Sequence, residues 1–146
     1  METNLEMLKA RASEIEKTVD VLAGVSEVEA AYLFGSAASG RLRKRSDIDV
    51  ALLLRPDVKK ARQFDIRLKL MARLEDIFKR PTEIIIMNDA PLLLLREILK
   101  VKKIIYEKNA PYRIQFESQK RREYLDFRPH MLRHSLAFRR RLMGEA

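Results

Sequence analysis

The stretch Leu33 to Leu54, LFGSAASGRLRKRSDIDVALLL, decides the fold. An apolar run ends at Gly35-Ser36, and a turn of small residues, Ala37 to Gly40, follows. A basic stretch, Arg41 to Arg45, leads through Ser46-Asp47-Ile48-Asp49 into a second apolar run, Val50 to Leu54. Both runs are short and bounded by turn residues, so both read as buried strands. On a strand, residues two apart share a face. Asp47 and Asp49 are therefore expected to project together, with Ile48 turned into the core. Two carboxylates held side by side repel each other. A divalent cation that prefers oxygen ligands, such as Mg²⁺, offsets that charge. Gly35 lets a phosphate approach the backbone closely. Ser36, at the start of a helical turn, offers a hydroxyl and free N–H groups to an anion.

The rest of the chain sets the limits. At 146 residues it is one domain's worth of sequence, long enough for a proper core. It has no Cys, which excludes disulfides and thiolate metal sites and suits a reducing cytoplasm. Met1 to Ala12 is charged and amphipathic, without the apolar region of a signal peptide. The longest apolar runs, such as Val50 to Leu54 and Leu92 to Leu95, are far too short to span a bilayer. A net charge of +9 admits a polyanionic partner: nucleotide, nucleic acid or an acidic protein surface.

Periodicity gives the elements in order. Asn4 to Leu22 steps its apolar residues by three or four and reads as a helix, with Gly24 as its stop. Val28 to Phe34 and Asp47 to Leu54 are the first two strands. A helix is expected from about Val58 to Phe78, apolar broadly enough to be well covered, and Arg80-Pro81 ends it. Thr82 to Met87, TEIIIM, is a third strand rich in β-branched residues. Asn88 or Asp89 is expected to cap a helix over Leu92 to Val101, with Pro91 in its first turn. Lys103 to Tyr106 is a short last strand. Tyr112 to Asp126 is helical and strongly charged, and Pro129 either breaks it or starts a new helix to about Leu142. Phe116, Tyr124, Phe127, Leu132, Leu136 and Phe138 are the buried candidates of this tail. The expected architecture is α/β (α+β): a small mixed sheet with helices packed against it.

The spacing Gly-Ser-x10-Asp-x-Asp, from Gly35-Ser36 to Asp47 and Asp49, resembles that of the minimal nucleotidyltransferases of the DNA polymerase β superfamily. Such chemistry uses two metal ions about 3.5–4 Å apart, which need more than two carboxylates between them. The third must come from a strand beside Asp47 and Asp49, and Glu83 is the only acid on TEIIIM. The superfamily places a third carboxylate on the corresponding strand, usually Asp, so Glu83 is a departure. Asp47, Asp49 and Glu83 are thus the expected catalytic and metal-binding residues. Gly35, Ser36, Arg43 and Ser46 are the candidates for the triphosphate, since an Arg fork matches phosphate oxygens.

The stretch from Glu83 to Glu117, EIIIMNDAPLLLLREILKVKKIIYEKNAPYRIQFE, and Glu123-Tyr124-Leu125-Asp126 resemble the corresponding parts of the MntA antitoxins. These are similar to this chain in length, to about Pro129. The resemblance implies transfer of AMP from ATP, with two Mg²⁺ ions, onto a tyrosine of a HepT toxin of the HEPN ribonuclease class, in a prokaryotic cytoplasm. The change of character after Asn109-Ala110-Pro111 sets a nucleotidyltransferase domain over residues 1–108 and a C-terminal helical extension over 109–146, expected to be part of the same compact unit or partner-docking. A homo-oligomer or a hetero-oligomer with the toxin is compatible with the resemblance. The rival readings are a catalytically lapsed module that neutralises the toxin by binding alone and a small-molecule nucleotidyltransferase, which would need an added acceptor domain. A nucleic-acid-binding protein is a weaker reading, because the positive charge is dispersed and aromatics are sparse. His130 and His134 sit four apart, but no carboxylate completes a metal site with them, and the Arg128–His134 spacing reads as coincidence. Arg139-Arg140-Arg141 reads as a solvated helix end, with docking onto an acidic partner as the alternative.

Overall fold

The computed structural model describes residues 4–35, 38 and 47–142. Along them run helix α1 (Asn4–Ala23), strands β1 (Val28–Phe34) and β2 (Ile48–Leu54), helix α2 (Lys60–Phe78) and strand β3 (Thr82–Ile86). A 3-10 turn (Met87–Asp89), helix α3 (Leu92–Val101), strand β4 (Lys103–Glu107) and helix α4 (Ala110–Leu142) complete the order. The strands form one mixed sheet in the order β3-β2-β1-β4. β1 is antiparallel to both β2 and β4, and β2 is parallel to β3. The expected mixed sheet with packed helices is what the chain forms.

β2 is buried on both faces because it has helices on both. Val50, Leu52 and Leu54 pack with Leu22 of α1 and with Ile66, Leu70, Leu74 and Phe78 of α2. Ala51 and Leu53 turn the other way, onto Leu95, Ile98 and Leu99 of α3. The period-2 alternation of the strand is thus read out into two separate cores. A bulge between Val28 and Ala30 shifts the register of β1. It places Val28 and Ala31 in the same core although they are three apart.

Several sequence expectations are corrected. α2 is apolar around much of its girth, yet Phe64 and Leu68 are exposed, at 57% and 49%. The buried 66-70-74-78 stripe meets the sheet, with Met71 and Ile77 half-buried beside it, and nothing among the described residues covers Phe64 and Leu68. The third strand stops at Ile86, and Met87 belongs to the 3-10 turn. Neither Asn88 nor Asp89 caps α3, whose N-cap is Pro91 without a side-chain cap. Asn88 is used elsewhere. Its side-chain oxygen accepts from the Leu54 N–H at 2.9 Å and its amide donates to the Leu54 carbonyl at 2.7 Å. It therefore closes the end of β2 where β3 has already turned away. The Tyr112 hydroxyl donates to the same carbonyl at 3.1 Å. Pro129 neither breaks nor starts a helix: α4 runs through it. The missing N–H removes one rung of the ladder while the neighbouring turns hold. Phe127 is exposed, and Phe116 and Tyr124 are only half-buried. The side chains of Leu132, Leu136 and Phe138 lie outside the described residues.

α4 is tied down by charge. Glu117 is buried and accepts from both Lys102 and Arg113, and Arg113 also reaches Glu107 on β4. Such a buried carboxylate is tolerated only because two cations face it. On the other face, Arg62 of α2 donates twice to Glu27, just before β1.

Asn88→Ala leaves the Leu54 N–H without its partner and is expected to cost about 1–3 kcal/mol in chemical denaturation. An unchanged midpoint would remove the role given to Asn88. The hydrogen bonds from Arg62 hold the Glu27 carboxyl at about 2, below its ordinary 4.5. A depressed carboxylate stabilises the fold above its unfolded pKa and loses that contribution as pH falls toward its folded pKa. Stability is therefore expected to decline between about pH 4.5 and pH 2. Glu27→Gln is expected to flatten that part of the pH profile of the melting temperature.

Candidate active site

Strand register brings the acids together. In the antiparallel pair Asp49 lies opposite Phe34, and in the parallel pair it lies beside Glu83. Neighbouring strands are about 4.8 Å apart, so the two carboxylates leave the sheet side by side. Ile48 and Val50 enter the α1–α2 core, which turns Asp49 to the α3 face. Ile84 is buried in the α1–α2 core and Ile85 packs on the α3 side, so Glu83 turns the same way as Asp49. Asp47 lies just before β2 and is exposed. Glu83 is exposed on β3, and Asp49 is half-buried between them.

The charge environment agrees with this placement. Burial pushes the Asp49 carboxyl above its ordinary 3.8, and the nearby carboxylates of Glu83 and then Asp47 push it further. Like charges at close range disfavour ionisation, so Asp49 is the group most relieved by a cation. Among the described residues no three His, Cys, Asp or Glu side chains already stand together as a metal cage. Asp47, Asp49 and Glu83 offer carboxylate oxygens alone, the chemistry that would suit a hard cation such as Mg²⁺.

Gly35 ends β1 against this cluster. Its φ is +65°, a conformation that L side chains rarely adopt. A Cβ built there would stand 2.4 Å from Oδ2 of Asp49. Glycine is required twice over: by the backbone turn and by the carboxylate that occupies the side-chain space. Ser36, Arg43 and Ser46, with the basic stretch Arg41 to Arg45, lie outside the described residues. His130 is exposed and packs its ring 5.9 Å from that of Phe127, away from any acid cluster among the described residues. The strand ends, the turn glycine and the acids are legible in local sequence as residue types. The role of Asn88 is not, because an Asn before a helix reads equally as a cap.

The chain belongs to the polymerase beta nucleotidyltransferase family, whose model matches residues 16–111. No curated protein matches it. Among solved structures, it is similar to a chain of a toxin–antitoxin complex with AMP-PNP, at 18% identity and a TM-score of 0.66, over 90% of this chain and 97% of that one. It is similar at 16% identity and a TM-score of 0.64 to a chain of the tri-AMPylated Shewanella oneidensis HEPN toxin in complex with MNT antitoxin, over 90% and 98%. An MntA–HepT toxin–antitoxin complex gives 16% identity and a TM-score of 0.63, over the same shares. These likenesses show a shared fold.

Gly35→Ala is expected to lower the unfolding free energy by at least about 1–2 kcal/mol, the cost of a left-handed L residue. Part of that loss comes from the collision with Asp49. Asp49→Ala in the same chain is therefore expected to be less destabilising together with Gly35→Ala than the two separate costs imply. Strict additivity in a double-mutant cycle would show that the two residues do not meet.

Proposed function

We propose that this protein transfers AMP from ATP onto a tyrosine hydroxyl of a HEPN-class ribonuclease toxin and so acts as its antitoxin. The observation that carries the reading is the pairing of Asp49 with Glu83, beside a glycine turn that the Asp49 carboxylate fills. The chain's membership of the nucleotidyltransferase family supports the reaction class. The AMPylated HEPN toxin in one structural relative and the AMP-PNP complex of another support the substrate and the nucleotide.

Asp47, Asp49 and Glu83 are the residues that would hold two Mg²⁺ ions. When bound, these supply charge neutralisation on the triphosphate and make the acceptor hydroxyl more acidic. In this reading Glu83, exposed on β3, takes the proton from the tyrosine hydroxyl. The tyrosine oxygen forms a bond to the α-phosphorus, the bond from that phosphorus to the β-phosphate bridging oxygen breaks, and pyrophosphate leaves. Gly35, Ser36, Arg43 and Ser46 are the phosphate contacts in this reading. No helix among the described residues is long and apolar enough to cross a membrane.

The test is intact-mass spectrometry of the toxin co-expressed with each variant. Wild type is expected to add one or more AMP units. Asp49→Asn and Glu83→Gln are each expected to slow transfer by at least about 100-fold, since each removes charge worth several kcal/mol at the reacting phosphate. Glu83→Asp is expected to retain activity. Full neutralisation without any mass gain would overturn transfer in favour of binding alone.

A further inference from the structure

Away from the acid cluster, α3 and α4 enclose an open groove of about 370 Å³. Its floor is apolar: Leu95 and Leu99 from α3, Tyr124 and Leu125 from α4. Leu125 is 61% exposed and Phe127, just beyond, is 48% exposed. Its rim is basic, with Arg96 and Lys100 on one bank and Lys120 and Arg121 on the other. Arg96 reaches Glu97 at 3.5 Å and Lys120 reaches Glu123 at 3.2 Å, both at the surface. Among the described residues no acid forms an ion pair with Lys100 or Arg121, and none of the groove-lining residues is acidic.

The geometry points to a helix as occupant. We propose that this groove docks an amphipathic helix of the toxin, with an apolar ridge flanked by acidic residues. The proposal rests on the antitoxin reading above and adds where the partner sits. The groove runs between two helices, and its floor residues recur at positions 92, 95 and 99, so they form a stripe about 10 Å long on one face. That is the surface into which a partner helix lays its own i, i+3, i+4 residues. Basic banks on both sides select acidic flanks and repel basic ones. An RNA strand fits poorly, because the one aromatic face in the floor, Tyr124, is already covered by Arg96 at 4.6 Å. A second copy also fits poorly. The most acidic helix of this chain, α1, carries four acids against three cations, which is too little charge for four basic residues.

The experiment is titration calorimetry of this chain against its cognate HEPN-class toxin, with sedimentation of each protein alone. Lys100→Glu with Arg121→Glu is expected to weaken the complex by at least about 10-fold, the size of one close charge pair. Leu125→Asp, at an exposed floor position, is expected to weaken it similarly with an unchanged melting temperature. Lys69→Glu with Arg73→Glu makes the same change in net charge at exposed positions of α2 that do not line the groove. It is expected to leave affinity within roughly threefold, as long-range charge alone would. A wild-type complex that both groove variants retain at full affinity would overturn the docking site and leave the antitoxin reading standing. A homodimer that the groove variants dissociate would assign the groove to a second copy and overturn the proposal. Absence of any wild-type complex with the toxin would overturn both.

Discussion

Strand β2 is hydrogen-bonded along both edges and buried on both faces, and the rest of the molecule depends on its register. A slip of one residue would turn Asp49 into the α1–α2 core and move Val50 to the α3 face. The two cores forbid this independently, since Val50, Leu52 and Leu54 belong to one and Ala51 and Leu53 to the other. β1 and β3 are then placed by their ladders to β2, and with them Gly35 and Glu83. Asn88 holds the far end of the same strand through the backbone of Leu54.

The cost of this arrangement is concentrated at the other end. Asp49 is half-buried, faces Glu83 and Asp47, and sits against a glycine in a left-handed conformation. None of these features stabilises a fold by itself. Local conflicts that a well-packed sheet over-determines are the usual mark of a site shaped for a ligand. Here the conflict is one of like charges, which a bound cation would resolve.

Helix α4 shows the opposite economy. Glu117 is buried but satisfied by Lys102 and Arg113, so the helix is pinned to the end of α3 and to β4 by charge rather than by a broad apolar stripe. The Tyr32 hydroxyl beneath it is buried without a hydrogen-bond partner among the described residues. Burial, and then the charge of Glu117, push its pKa well above the ordinary tyrosine value. Because α4 needs few apolar residues for its own attachment, Leu125 and Phe127 remain at the surface and the α3–α4 groove stays open.

The sequence by itself determined the elements and the acids. Period-2 and period-3.6 patterns are local, and so are turn residues, which is why α3 over Leu92–Val101 and β1 over Val28–Phe34 were legible to the residue. Gly35, Asp47, Asp49 and Glu83 were legible as residue types with a spacing. Tertiary structure alone decided what lies beside what. The parallel pairing of Asp49 with Glu83 joins residues separated by a whole helix, and no local pattern encodes that register. Tertiary structure also decided that Asn88 closes a strand instead of capping a helix. It exposed Phe64 and Leu68 on the back of α2 and carried α4 through Pro129. In each case the sequence offered a side chain compatible with two local uses. The choice fell to whichever distant backbone group or apolar surface the sheet brought within reach.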